Sequence, residues 1–395
     1  MTSEYAQKAV HRVGIIGASA PASWTSADPA DAPSAAVTNW AAYSHIPAIA
    51  AAPNVTLTAV ATTRAESAER SARMFGAKHA FTSAADLAAS DDVDLVVVSV
   101  RSPGHAPAVE AALLAGKPVW CEWPVGTGGE TTRRLVSLAR ERNATTITGL
   151  QARFTPAVAY ARQLLEDGYA GRVLSAHVYA EYDAFGENIA VAASAQDENN
   201  AHVLISGGGH ILDTLTFLAG DIRQVTGTLS YQRDSGYALD LQRRVTMTAP
   251  DQFAAQGTLE SGAVFVAHVL GAAPHGSPFR LHIAGTAGQL SLETDGMPQI
   301  APLTLKGARG QNAPQEMPIP AGFLPPSAGL LPGPAVAMAS AYAALPDDLS
   351  SGAAPLPDFE HALTMHRLLD AIKASSRTGV RQPLKRDISS PPAGR

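Results

Sequence analysis

Two stretches of this chain gather side chains that could move a proton or grip a small ring. The first is Tyr179-Ala180-Glu181-Tyr182-Asp183, at the end of a run that alternates like a half-exposed strand. A tyrosine acts as acid or base when a neighbour lowers its pKa. Alternation puts Tyr179 and Glu181 on one face and Tyr182 on the other. Tyrosines in strands are more often packing residues, so both readings stand. The second stretch is Gly116-Lys117-Pro118-Val119-Trp120-Cys121-Glu122-Trp123-Pro124-Val125-Gly126. It reads as a buried strand emptying into a tight turn, the place where open α/β sheets hold ligands. Trp123 could stack on a substrate face or simply fill volume. Asn199, Asn200 and His202 form a polar segment before Gly207-Gly208-Gly209, a pattern that suits a lid or substrate loop. The histidines are scattered without ligand spacing, so no metal site is expected. Cys121, in the buried strand, reads as inert packing.

The elements that must position these groups are legible from composition and periodicity. With 395 residues, 46% of them apolar and 16% charged, the chain has room for two domains with a sizeable core. A net charge of −6 with no basic block disfavours nucleic acid as a direct partner. The longest apolar runs are strand-length, so no membrane span is expected. Met1 to Lys8 has no secretory pattern, and one cysteine allows no internal disulfide. A cytoplasmic protein is the expectation.

Arg12 to Ile16 predicts a first strand, and Gly14-x-x-Gly17 the start of a phosphate-binding turn. Residues 18–39, with Pro21, Pro29 and Pro33, predict a surface insertion. Strands at Val55 to Ala61, Asp94 to Val100, Pro118 to Cys121 and Thr145 to Gly149 alternate with helices at Glu66 to Phe75, Ala106 to Ala115 and Glu130 to Arg142. That rhythm predicts a doubly wound parallel sheet, a Rossmann domain over 10–150. An α+β domain is expected over 151–385. Its large, mainly antiparallel sheet draws on Arg172 to Tyr182, Val225 to Tyr231, Gln242 to Thr248, Phe253 to Leu259, Val264 to Leu270 and Phe279 to Ala284. Pro302 to Pro334 reads as an extended surface excursion, and 359–374 as a terminal amphipathic helix.

Motifs recur along the chain in a fixed order: Gly14-x-x-Gly17, His45-x-Pro47, His105 after the strand near Ser102, and Glu122-x-Pro124. Gln151-Ala152-Arg153-Phe154-x-Pro156, Gly168-x-x-Gly171-x-Val173, His210-x-x-Asp213 and Gly285-Thr286-x-Gly288 follow. Together they resemble the glucose–fructose oxidoreductase/inositol dehydrogenase (Gfo/Idh/MocA) family, from Arg12 to about Pro383. Members bind a nicotinamide cofactor and move a hydride on a sugar or cyclitol carbon. The resemblance implies cofactor contacts at Gly14, Gly17, Ala18, Arg101, His105, Glu122, Pro124 and Arg153, and a homodimer or homotetramer. At the end of the second strand the chain offers Thr62-Thr63-Arg64. Two hydroxyls and a guanidinium, with no carboxylate, suit a ribose 2′-phosphate, so NADP is expected rather than NAD.

The family's catalytic lysine is replaced by Trp123, and its acid by Ser206. His210 stands in the family histidine's place, followed by Asp213. The resemblance therefore leaves His210 as proton carrier, with Tyr182 and Tyr179 as further candidates. Trp123, Arg153, Glu181 and Asp213 are the candidate substrate contacts. A branch that includes fungal galactose-pathway repressors shares the Glu-Trp turn, and such repressors bind NADP and a protein partner. The expected function is an NADP-dependent oxidoreductase acting on a carbohydrate-like or other hydroxyl/keto small molecule. A non-catalytic NADP-binding regulator, and elimination or hydrolysis through transient redox, are the alternatives.

Overall fold

The computed structural model describes residues 10–20, 39–199, 201–273, 278–325, 328–331, 333–347, 349–351 and 356–384. Most of the insertion expected over 18–39, and Asn200 of the expected lid, lie outside the described residues.

The N-terminal domain is a parallel sheet of six strands in the order β3-β2-β1-β4-β5-β6. These are β1 (His11–Ile16), β2 (Val55–Ala61), β3 (His79–Phe81), β4 (Leu95–Val98), β5 (Val119–Glu122) and β6 (Thr146–Gly149). Strands β4 and β5 are buried along their whole length, as continuous apolar runs require when both faces of a sheet are covered. The helices between them are α1 (Trp40–Tyr43), α2 (His45–Ala51), α3 (Ala65–Phe75), α4 (Ala84–Ala89), α5 (His105–Leu114) and α6 (Gly129–Glu141). From β1 the chain runs outward to β2 and β3, then returns to lay β4 on the other side of β1. The order thus reverses between β1 and β4, opening a crevice at the carboxyl ends of the strands.

The C-terminal domain carries α7 (Pro156–Glu166), β7 (Val173–Glu181), β8 (Asn188–Ile189), α8 (Ser206–Ala219), β9 (Ile222–Ser230), β10 (Ser235–Ala238) and β11 (Arg243–Thr246). It continues through β12 (Gln252–Leu259), β13 (Val264–Leu270), β14 (Phe279–Gly285), β15 (Gly288–Thr294), β16 (Thr304–Arg309) and β17 (Gln315–Glu316). Helices α9 (Gly333–Ala343) and α10 (Phe359–Thr378) and strand β18 (Gln382–Pro383) close the described chain. Nine strands form one sheet, β17-β16-β15-β14-β7-β13-β12-β9-β18, in which β13–β7 is parallel and the other pairs antiparallel. Along β7 the side chains alternate: Ala176, Val178 and Ala180 are buried in the main core with α8 and α10, while His177 and Tyr179 are exposed on the opposite face.

The structure departs from the sequence-based expectation in two places. Gln242 to Thr248 does not join the large sheet; β11 pairs with β10 in a separate three-stranded sheet, β11-β10-β8. Its small core of Ile189, Ala195, Met247 and Val245 stands apart from the main cluster. Alternation identifies a strand but not the sheet it enters. Residues 302–334 are not a bare excursion, because β16 and β17 extend the large sheet and the prolines only flank them. The alanine-rich α9 then packs Ala335, Met338 and Tyr342 against Val13, Ile15 and Trp120 of the N-terminal sheet. Gly207-Gly208-Gly209 forms the first turn of α8, directly after the segment expected to be a lid.

Candidate nucleotide and substrate site

The carboxyl edge of the parallel sheet brings together most of the residues expected to hold a cofactor. Gly17 ends β1 with φ +101, and a Cβ there would lie 2.4 Å from Ser99 O, so only glycine fits this turn. Gly14 is a correction: it sits inside β1, where a side chain would meet Leu87 and Val93, and it serves helix packing rather than the edge. After Gly17, Ala18 is buried and Ala20 N donates to Ser71 Oγ at 2.8 Å. Arg70 donates to Ala20 O, and Ser19 Oγ lies 3.3 Å from Ser67 Oγ, so α3 braces the β1 turn. Sequence reasoning missed Arg70, and no local pattern marks it, because its partner Ala20 lies 50 residues earlier in the chain. At the end of β2, Thr62 Oγ1 donates to Arg64 O at 3.1 Å, while the Thr63 and Arg64 side chains are exposed.

Two loops after β4 and β5 are tied together by one imidazole. His105 places Nδ1 2.6 Å from Pro124 O and Nε2 2.8 Å from Val100 O. Burial lowers its pKa, while the two carbonyl acceptors pull the other way by favouring the doubly protonated ring. Pro124 follows a cis peptide bond from Trp123. Glu122, expected at the cofactor, turns its carboxylate inward: Oε1 lies 3.2 Å from His45 Nε2 and accepts from Trp120 Nε1 at 3.3 Å. His45 Nδ1 in turn lies 2.7 Å from the Tyr342 hydroxyl, linking the β5 turn to α9. Burial raises the thiol of Cys121 well above its usual pKa, in keeping with packing.

Trp123 points into the protein. It is 6% exposed, its Nε1 donates to Ile205 O at 2.7 Å, and its ring lies against His366 at 4.8 Å between centroids. A substrate platform needs an open ring face, which Trp123 lacks as placed. The glycines of α8 explain how the indole fits. A Cβ on Gly209 would lie 2.2 Å from Trp123 Nε1, one on Gly208 2.7 Å from the Phe253 ring, and one on Gly207 1.8 Å from the Tyr182 hydroxyl. Three aromatic side chains therefore seat against bare helix backbone. Each glycine costs the helix about 1 kcal/mol relative to alanine, and this packing offsets it.

On α8, His210 is 8% exposed, and its buried Nδ1 has no hydrogen-bond partner among the described residues. Burial lowers its pKa despite the nearby charges of Glu122 and Asp213, so the ring is neutral near pH 7. Asp213 is fully buried and held bidentate by Arg153, with Nε 2.8 Å from Oδ2 and Nη2 2.5 Å from Oδ1. His361 Nε2 lies 2.6 Å from Oδ1 and 2.7 Å from Arg153 Nη2, so it serves one of them at a time. Burial opposes ionisation of Asp213, but Arg153 and His361 outweigh it and hold the carboxyl well below the usual range. The two residues expected to meet a ligand, Arg153 and Asp213, are thus brought together with each other. Arg153 also lies over the Phe217 ring, 4.8 Å from its centroid.

The tyrosine expectation is corrected in part. Tyr179 and Glu181 are bonded to each other on the exposed sheet face, opposite α8, and do not converge with His210. Tyr182 does lie beside α8, but its hydroxyl makes only a 3.4 Å bond to Val203 O, and burial pushes its pKa far up. His202 is fully buried, 3.0 Å from Asp197 Oδ1, which anchors the segment expected to be a lid. Sequence reasoning missed His366. It lies four residues past Ala362 on the apolar stripe of α10, a position that signalled a buried imidazole.

The edge fits a polar, phosphate-bearing cofactor. Ser99 Oγ and Ser102 Oγ in the loop after β4, Trp40 Nε1 at the head of α1 and His210 Nδ1 are all buried without a partner among the described residues. Buried polar atoms left unpaired each cost about 1–3 kcal/mol, which a hydrogen-bonding ligand would relieve. Among the described residues, no helix is long and apolar enough to cross a membrane.

Known proteins place this architecture. Residues 38–150 match the model of the "Oxidoreductase family, NAD-binding Rossmann fold" (Gfo/Idh/MocA), and residues 156–294 match the "Gal80p, C-terminal domain". The dehydrogenase aclE of Aspergillus oryzae is 31% identical over 246 residues, covering 60% of this chain and 67% of that protein. The galactose/lactose metabolism regulatory protein GAL80 of Kluyveromyces lactis is 26% identical over 254 residues, covering 58% of this chain and 55% of that protein. The chain thus spans between about half and two thirds of the length of these relatives. A super-repressor mutant of Gal80p from Saccharomyces cerevisiae superposes with a TM-score of 0.78 at 21% identity, over 95% of this chain and 98% of that one, so the whole fold is shared. The chain belongs to the Gfo/Idh/MocA oxidoreductase family.

Proposed function

We propose that this chain is an NADP(H)-dependent oxidoreductase acting on a hydroxyl- or keto-bearing small molecule, with His210 as its proton carrier. The observation that carries the reading is His210 itself: a buried imidazole, kept neutral, with an unpartnered ring nitrogen. A neutral imidazole accepts the proton of a substrate hydroxyl without first losing one of its own. A bound nicotinamide would accept or supply the hydride. Gly17, Ser99 and Ser102 would hold the cofactor at the carboxyl edge, with Thr63 and Arg64 exposed beside the place of an adenosine 2′-phosphate. Arg153 and Asp213 keep α8 in register one turn beyond His210, a positioning role. Trp123 fills the place of the family lysine without replacing its charge, so His210 must work without a neighbouring cation from that turn.

Regulation by NADP binding is the second reading, and the buried Trp123 together with Ser206 in place of the acid favours it. His210→Gln separates the two. In an enzyme it keeps NADPH affinity within about twofold and lowers turnover by 10²–10⁴. Unchanged behaviour in every assay would favour the regulator. Self-association through the open sheet face, where Tyr179, Val264 and Val266 are exposed, also belongs to this proposal.

A further inference from the structure

The three-stranded sheet of β8, β10 and β11 carries a small core of its own. Its core, Ile189, Ala195, Met247 and Val245, does not join the main cluster. The turn between β10 and β11, residues 239–242, ends at Gln242 with φ +50, a left-handed backbone in a residue that has a Cβ. At the tip of that turn Asp240 accepts from Ala192 N at 2.9 Å, which fixes its side chain inward. The same carboxylate reaches Arg101 of the N-terminal domain, with Oδ2 3.8 Å from Nη1. Arg101 directly follows Val100, whose carbonyl faces His105, and it heads the loop carrying the unpartnered Ser102 hydroxyl. The ion pair therefore joins the small sheet to the edge where the nucleotide is proposed to bind.

We propose that the β8–β10–β11 sheet is a lid over this edge, that Arg101–Asp240 is its latch, and that a nucleotide phosphate releases the latch by competing for Arg101. The proposal rests on the nucleotide reading given above. Arg101 is two thirds exposed in the pair, with its side chain at 65%, so its guanidinium is open to a second anion. A phosphate offers it a bidentate, charge-assisted partner, which a carboxylate at 3.8 Å does not. The pair is weak enough to open often, as a half-exposed salt bridge should be. Cofactor would then enter first and free the lid for substrate.

Hydrogen exchange on the full chain, read by mass spectrometry with and without NADPH, tests this. Asp240→Asn keeps an acceptor for Ala192 N and removes the charge facing Arg101. Without nucleotide, peptides spanning 234–247 should exchange about two- to fivefold faster in this variant, and Arg101→Gln should match it. NADPH should bring the wild type to the same rate and leave Asp240→Asn unchanged. Wild-type rates in both variants would overturn the latch, and slower exchange with NADPH in the wild type would overturn its release. If NADPH protects neither 17–20 nor 62–71, the nucleotide reading has failed; the variants still decide the latch without it.

Discussion

Replacing Gly209 by alanine should destabilise the protein, although alanine is the better helix former. Propensity alone would stabilise α8 by about 1 kcal/mol. Against that, the new methyl would stand 2.2 Å from Trp123 Nε1 and 2.6 Å from Cε2, closer than any real Cβ contact. The indole would have to move, losing its 2.7 Å bond to Ile205 O and its stack on His366. Overpacking of this kind costs about 1–3 kcal/mol, and the buried indole N–H left unpaired about 1–3 kcal/mol more, while Ile205 O keeps its bond from Gly209 N. The net expectation is a loss of about 1–5 kcal/mol, measured by urea titration with circular dichroism. The background Trp123→Ala reverses the sign, because nothing is left to clash: there Gly209→Ala should be neutral or stabilising by up to about 1 kcal/mol. A stabilising Gly209→Ala in the wild-type background would refute the seating of Trp123 on α8.

Acid should expose the buried histidines. His366 has its pKa pushed down to about 4 by burial and by Lys373, against about 6.5 in the unfolded chain. The unfolded state then binds the extra proton first, so stability is full above pH 6.5 and falls as pH drops toward 4, by about 3 kcal/mol. Urea midpoints from pH 7 to 4 should show that slope, and His366→Leu should flatten it. Arg153→Ala leaves the fully buried Asp213 with His361 alone, and should cost about 3–5 kcal/mol in the same titration at pH 7. Tyr182→Phe removes a hydroxyl held only by a 3.4 Å bond, so stability should change by less than about 1 kcal/mol and turnover should not change. A collapse of turnover would return Tyr182 to the chemistry.

Much of the fold was legible because burial on both faces demands unbroken apolar strands. Leu95–Val98 could hardly have been anything else. His210 and Asp213 were legible as a pair one helical turn apart. What Asp213 binds was not: Arg153 lies 60 residues before it and His361 148 after, and no local pattern encodes such a meeting. Gly207-Gly208-Gly209 opens a helix although three glycines oppose one by propensity, and only tertiary contact with Tyr182, Phe253 and Trp123, invisible in the sequence, supplies the compensation. Gly14 was misread. Its spacing from Gly17 suits a phosphate turn, yet the strand carries it inward against Leu87.

Hydride transfer is the central claim, and isotope transfer tests it most directly. The protein is incubated with NADPH deuterated at the transferable carbon and a pool of keto- and hydroxyl-bearing small molecules, then read by mass spectrometry. The account predicts deuterium in a product, or its loss from the cofactor where the hydride is returned. It also predicts that His210→Gln abolishes both signals while NADPH still binds. NADPH bound, with no deuterium moved across the whole pool, would contradict the account and leave a regulator that reads the nucleotide without using it.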